Sequence, residues 1–275
     1  MKIIKYLLIT LFFIFSIYYT EKSMDILKLN DPIMKEIKNN LNKYKIEPVN
    51  ATIKNNTIIP GKKGKEIDIK ETYSNMRKYG SYNETLIKTK ETLPVISITN
   101  NLDKYIKIDK NYNKQISLIF IINKETNLNK IINILNKYKV NKTFYIEENL
   151  LEKYTDKIKN NKLEIAIFNP NKKLFTTTKS YIETLINKEI NYCYTEKEDN
   201  ELLNICKNNN MYTFIPSIII KNDLYKNIKL NIDKSKIISI YPNKNIEKEL
   251  ITTIEYLNKK GYEFLELNKL LNEAY

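Results

Sequence analysis

Ile116-Ser117-Leu118-Ile119-Phe120-Ile121-Ile122 is the stretch on which the fold turns. One hydroxyl among six apolar side chains leaves it no polar face. A strand with one wet face alternates apolar and polar residues. A continuous apolar run of this length is expected for a parallel strand covered on both sides. Working outward, Leu128, Ile131, Ile132, Leu135 and Tyr138 recur at helical spacing. The pattern then repeats. Strands are predicted at 143–146, 163–168, 190–194, 212–220, 237–241 and 262–265. Helices are predicted over 149–160, 177–188, 197–209, 246–260 and 267–273. A Thr195-x-x-Glu198 capping box opens the third of these, and Gly261 stops the fourth. Strands and helices alternating at this length mean parallel βα units. Periodicity alone leaves a barrel and a doubly wound sheet both open.

Upstream the pattern changes. Asp31-Pro32 starts a helix within 25–45, with Ile33, Ile37, Leu41 and Tyr44 on one face. A strand is expected within 46–54, and the glycine pair Gly61 and Gly64 marks a turn. A helix follows at 69–78, then mixed strands to about 109. Residues 25–110 therefore form a small α+β module, and 111–275 the α/β part. The Gly-x-x-Gly spacing is not followed by the residues of a phosphate loop.

Residues 1–22 differ again. Lys2 and Lys5 precede an apolar run from Tyr6 to Tyr19, as in a membrane-targeting segment. The run ends Phe15-Ser16-Ile17-Tyr18-Tyr19-Thr20, without the small residues that a cleavage site wants. An uncleaved signal anchor is expected, with a secreted, cleaved form as the alternative. The lysines inside place the rest of the chain outside the cytoplasm.

Composition narrows the chemistry. The chain has 275 residues, 42% of them apolar, which supports a real core. Its formal charge is +14, yet Arg77 is the only arginine. Nucleic-acid readers lean on arginine's planar fork, so no nucleic-acid partner is expected. The lysines read as a solvated surface, compatible with attraction to an anionic wall or membrane. Histidine is absent, which removes Ser-His-Asp and Cys-His catalysis and every His-ligated metal site. The two cysteines, Cys193 and Cys206, are either bridged or two buried thiols.

Four stretches carry a resemblance. They are Lys114-Gln-Ile-Ser-Leu-Ile-Phe120, Ile134-Leu-Asn-Lys-Tyr-Lys-Val-Asn-Lys-Thr-Phe-Tyr145, Asn161-Lys-Leu-Glu-Ile-Ala166 and Lys260-Gly-Tyr-Glu-Phe-Leu-Glu-Leu-Asn-Lys-Leu-Leu271. In order and wording they resemble the NodB-type polysaccharide deacetylases over about residues 114–272. The resemblance implies a distorted (β/α) barrel and a bacterial, cell-wall setting. Metal-dependent members of that family remove acetyl groups from chitin, peptidoglycan or xylan.

Carried over position by position, the family's functional residues are missing. Ile121 and Ile122 stand where the paired aspartates would, one a base and one a metal ligand. Phe168 and Lys172 stand for the two metal-binding histidines. Tyr194 falls near the substrate-contacting arginine, and Ile240-Tyr241 replaces the motif that supplies the acid. Amide hydrolysis of this kind needs a metal-activated water, a base and an acid. Isoleucine supplies none of these. The resemblance therefore implies a degenerate, non-catalytic member with no cofactor and no metal. Tyr194, Tyr212 and Tyr241 remain candidates for stacking on a glycan. Two other readings stay open. One is a hydrolase rebuilt from Glu125, Glu147, Glu164, Glu196 or Asp199. The other is a structural role, in which the barrel displays the 25–110 module to a protein partner.

Overall fold

The computed structural model describes residues 10–20, 29–108, 114–124, 126–161, 163–168, 170–234 and 236–271. In chain order the elements begin with α1 (residues 10–20), α2 (Pro32–Asn39), α3 (Leu41–Tyr44), β1 (Thr52–Lys54), β2 (Thr57–Ile59), β3 (Gly64–Ile67), α4 (Ile69–Tyr79), β4 (Thr89–Thr92) and β5 (Tyr105–Ile106). Then come β6 (Gln115–Ile122), α5 (Leu128–Lys137), β7 (Lys142–Glu147), α6 (Leu151–Asn161), β8 (Ile165–Phe168), α7 (Phe175–Ile186), β9 (Tyr192–Tyr194), α8 (Asn200–Asn208), β10 (Tyr212–Phe214) and β11 (Ile218–Ile220). The chain closes with α9 (Leu224–Asn231), β12 (Ile237–Ile240), α10 (Ile246–Lys259), β13 (Glu263–Phe264) and α11 (Leu267–Leu271).

The chain divides into two units, 1–48 with 63–93, and 49–62 with 94–275. This differs from a single cut near residue 110. Residues 49–62 and 94–106 join the α/β unit because β1, β2 and β5 continue one of its sheets.

In the first unit, Asp31 caps α2 by accepting the Ile33 amide at 2.8 Å, and Pro32 occupies the first turn, where its missing N–H costs nothing. The helix expected across 25–45 breaks at Asn40, giving α2 and the short α3. Asp68 caps α4 through the Glu71 amide at 3.0 Å, and Gly80 ends it at φ 95°. Strands β3 and β4 pair antiparallel. At Gly64 a Cβ would meet the Ile46 carbonyl at 2.4 Å, so only glycine admits this approach. Met34, Ile37, Ile67, Tyr73 and Met76 form the unit's own core.

The second unit is α/β, as the alternation predicts, but among the described residues it holds no closed barrel. Two sheets share its strands. One runs β11-β12-β6-β7-β8, with β13 against the start of β6, and its strands are parallel. The other runs β1-β2-β5-β10-β9, parallel apart from the β1–β2 hairpin. The two sheets part at two places. Strands β8 and β9 are not hydrogen-bonded to each other. Pro216 then splits the run expected at 212–220 into β10, which pairs with β5 and β9, and β11, which pairs with β12. The central strand β6 is as the sequence requires, with Ile116 to Ile122 all buried.

Three further details differ from expectation. Asp199, not Thr195, caps α8, accepting the Leu202 amide at 3.0 Å. Helix α9 has no counterpart in the sequence reading; only Leu224 and Ile228 on it are buried, which leaves too little periodicity to find it. Cys193 and Cys206 form a disulfide, both sulfurs lying in the core between β9 and α8.

The apolar segment at 1–22 falls partly outside the described residues. Its described part, α1, is helical and exposed along its whole length. Among the described residues no helix is long and apolar enough to cross a membrane.

Candidate functional site

In parallel α/β sheets, sites form at the C-terminal ends of the strands. Here those ends are filled. At the end of β6, Ile121 lies opposite Tyr145 and Ile122 opposite Ile146 on β7, and neither isoleucine has any accessible surface (0%). At the end of β8, Phe168 is half-buried. Its ring lies 5.7 Å from that of Tyr194, at the end of β9, and 6.1 Å from that of Tyr241, just past β12. Tyr194 packs further against Tyr145 at 5.4 Å and Phe214 at 5.7 Å. The result is a continuous plug of five aromatic rings. Contacts of this kind favour offset and edge-on packing, as seen here.

The plug's polar atoms are mostly turned inward. The Tyr194 and Ser239 hydroxyls are hydrogen-bonded at 2.9 Å. Burial pushes the Tyr194 phenol up to about 12. Burial also raises Tyr145 well above its ordinary value, and its hydroxyl donates to the Tyr192 carbonyl at 3.3 Å. Such phenols stay neutral at any physiological pH and move no proton.

At the rim a second arrangement remains partly exposed. The Tyr241 hydroxyl donates to Glu196 Oε1 at 2.5 Å. Lys221 Nζ lies 5.0 Å from the centre of the Tyr241 ring and 3.7 Å from Glu196. Burial, then the bond to Glu196, raises the Tyr241 phenol. Nearby, Lys172 Nζ reaches Glu201 Oε2 at 2.5 Å and Asp199 Oδ2 at 3.3 Å. The bond to Glu201, opposed by partial desolvation, raises Lys172. The Leu202 amide, then Lys172, holds the Asp199 carboxyl below its ordinary value. Lys172 is thus an ion-pair partner at a position where the resemblance implies a ligand.

The structure brings Ile121, Ile122, Phe168, Tyr194 and Tyr241 to one end of the unit, as their strand positions imply. Tyr212 is not among them. It opens β10 and packs against Tyr192 with ring centres 5.4 Å apart, two residues before Tyr194 in register. The other carboxylates do not converge. Glu164 faces the opposite end of the sheet, bonded to Thr143 at 2.7 Å and Lys188 at 3.4 Å. Glu196 and Asp199 are engaged as described, Glu147 ends β7, and Glu125 lies outside the described residues. Among the described residues no group of three or more Cys, Asp or Glu could hold a metal ion. The residues at these positions therefore do not fit the metal that the resemblance implies.

Sequence reasoning missed Tyr145 and Phe214 in the plug, and Lys221 at the rim. Tyr145 sits in an apolar strand whose neighbours are all buried, so nothing singles it out. The Glu196–Tyr241 pair spans 45 residues, beyond the reach of local pattern.

No family model matches the sequence, and no curated protein does. Among solved structures the fold is similar to that of a wild-type CE4 family pseudoenzyme from Bacillus anthracis. The identity is 22% and the TM-score 0.61, over 89% of this chain and 96% of that one. A mutant of that pseudoenzyme, described as having restored enzymatic activity, matches at the same identity and TM-score over 89% and 99%. A peptidoglycan N-acetylglucosamine deacetylase matches at 18% identity and TM-score 0.52, over 60% and 92%. The structural neighbours are thus CE4 polysaccharide deacetylases and a pseudoenzyme among them, and at these identities the likeness is one of fold. The pseudoenzyme match extends beyond 49–62 and 94–275 into the N-terminal unit.

Proposed function

We propose that this chain is a catalytically inactive, polysaccharide-deacetylase-like protein that faces the bacterial cell wall and binds or scaffolds glycan there. One observation carries the reading. The strand ends that would hold metal, base and acid hold Ile121, Ile122, Phe168 and Tyr241, and the first two are sealed from solvent. A buried alkyl side chain neither ligates a metal nor moves a proton. The match to a pseudoenzyme across both units supports the same reading.

Two features support a place outside the cytoplasm. The Cys193–Cys206 disulfide suits an oxidising compartment. Helix α1 exposes Phe12, Phe13, Ile14, Phe15 and Ile17 with no charge among residues 10–20, which suits insertion of the 1–22 segment into a bilayer. For glycan, the accessible part of the site narrows the candidates to Tyr241 with Glu196 and Lys221. Tyr194 is only 4% exposed and has no free ring face to offer a sugar.

The test is a single incubation of purified protein with N-acetylated peptidoglycan and zinc, followed by acetate assay and sedimentation. The expected result is no acetate above blank and protein in the pellet, reduced when Tyr241 and Glu196 are both replaced by alanine. Metal-dependent acetate release would contradict the inactive reading, and protein left in the supernatant would contradict glycan binding.

A further inference from the structure

Three strand ends of the α/β unit meet at the rim of the plug. Lys221 follows β11, Tyr241 follows β12, and Glu196 lies two residues past β9. The Tyr241 amide donates to the Ile220 carbonyl at 2.9 Å, which fixes Tyr241 beside the root of Lys221. Together the ring and the carboxylate form a site for an ammonium group, and Lys221 supplies one. Its Nζ stands over the Tyr241 ring, 5.0 Å from the centre, and 3.7 Å from Glu196 Oε1. An aromatic face and a carboxylate converging on one point are what a primary ammonium binds. The other lysine-over-tyrosine contacts among the described residues join near neighbours in sequence, as Lys43 with Tyr44 and Lys137 with Tyr138. This one joins the ends of two different strands.

Lys221 holds that place loosely. Its side chain is 61% exposed. Exposed ion pairs and exposed cation–π contacts contribute little, because water screens them and ordering a long stem costs entropy. The ring and the carboxylate, in contrast, are fixed. The Tyr241 hydroxyl donates to Glu196 Oε1 at 2.5 Å, and the Phe168 ring packs against the Tyr241 ring at 6.1 Å. Glu196 Oε2 has no partner among the described residues. The other carboxylates of this loop are engaged elsewhere: Glu198 with the Asn56 amide, and Asp199 and Glu201 with Lys172. The site is therefore preformed, and its cation is the movable part.

We propose that the Tyr241–Glu196 rim selects glycan that carries free amines, a glucosamine-type residue whose ammonium displaces that of Lys221. This rests on the glycan-binding reading above and names its ligand class, a cationic amino sugar in preference to its N-acetylated form. An acetamide is neutral, so neither the ring face nor the carboxylate attracts it as they attract an ammonium. Hydrolysis of an N-acetyl group, amide and water giving amine and acetate, is the class of reaction that supplies such a ligand.

Calorimetric titration of the full-length protein at pH 6, where the sugar amines are charged, compares three probes: tetra-N-acetylchitotetraose, the glucosamine tetramer and tetralysine. The glucosamine tetramer is expected to bind about tenfold more tightly than the acetylated one, although the chain's own formal charge is +14. Lys221→Ala removes the internal competitor and should tighten the glucosamine tetramer by about threefold. A merely structural lysine would give unchanged or weaker binding on its removal. Glu196→Gln keeps an acceptor for the Tyr241 hydroxyl but loses the charge, and should bring the two sugar tetramers to equal affinity. Both residues are exposed, so the variants keep the fold. Equal or tighter binding of the acetylated tetramer by the unsubstituted chain would overturn the inference and leave glycan binding intact. Tetralysine bound as tightly as the glucosamine tetramer would overturn it in favour of a site for any amine. Binding of neither sugar tetramer overturns the inference alone where peptidoglycan still pellets the protein, and overturns both readings where it does not.

Discussion

At position 121, where the resemblance implies a carboxylate, the protein has isoleucine, opposite Tyr145 on β7. Restoring the carboxylate alone would bury a charge among alkyl and aromatic groups with no cation beside it. Ile121→Asp is therefore expected to cost about 3 kcal/mol or more, by the desolvation of an unpaired polar group and the loss of packing. Burial raises the new carboxyl's pKa, so the loss should grow as pH rises through that value. Urea unfolding at pH 5 and pH 8 measures both effects, and acetate release should stay at blank. At Asp199 the sign is opposite. Its folded pKa lies below the ordinary carboxylate value, so its contribution is fully present above that ordinary value and is lost as pH falls through the folded pKa. Asparagine at 199 still caps α8 but carries no charge. Asp199→Asn should thus be the less stable chain at neutral pH, with the gap to the parent closing toward pH 3 in urea midpoints. An unchanged gap would mean that the Asp199 charge, held by the Leu202 amide and then by Lys172, contributes nothing.

Among the elements, what periodicity could show was legible. Strand β6, buried on both faces, announced itself by its unbroken apolar run, and α5 by its spacing. The breaks were not legible. Pro216 lies inside a run that reads as one strand, and only tertiary pairing shows that its two halves belong to different sheets. The cap of α8 was misplaced because Thr195 and Asp199 both suit the role. Thr195 instead donates to the Lys197 carbonyl at 2.5 Å, which leaves Asp199 to meet the Leu202 amide. The disulfide was an open alternative, since two cysteines 13 residues apart fix no distance. It ties β9 to α8 and so holds the loop that carries Glu196 and Asp199. Closing a loop of this length stabilises by about 3 kcal/mol in the chain-entropy picture. Reduction, or Cys193→Ala with Cys206→Ala, should lower the unfolding free energy by about that amount. Chemical denaturation in oxidised and reduced buffer measures it, and equal midpoints would show that the bridge is energetically idle.

For the molecule as a whole, the α/β class was readable from the alternation of strands and helices, while the barrel that the resemblance implies is not closed among the described residues. The proposed loss of chemistry rests, in the sequence, on the absence of histidine and on the isoleucine pair. Unclosed sheets and the true limits of the two units were not readable. Strands β1, β2 and β5 come from the stretch that reads as a separate module, yet Ile58 and Ile106 are buried in the core of the α/β unit. Short strands of two or three residues carry too little pattern to declare a partner. The plug likewise is a property of the whole, drawn from β7, β8, β9, β10 and the segment after β12. The central claim is that this plug stands where a metal centre would be. It is tested most directly by titrating the metal-free, full-length protein with zinc in a calorimeter. No stoichiometric binding is expected at micromolar protein, the same as for the Phe168→Ala chain. One equivalent bound tightly, with the heat lost on replacing any residue of the strand ends, would contradict it.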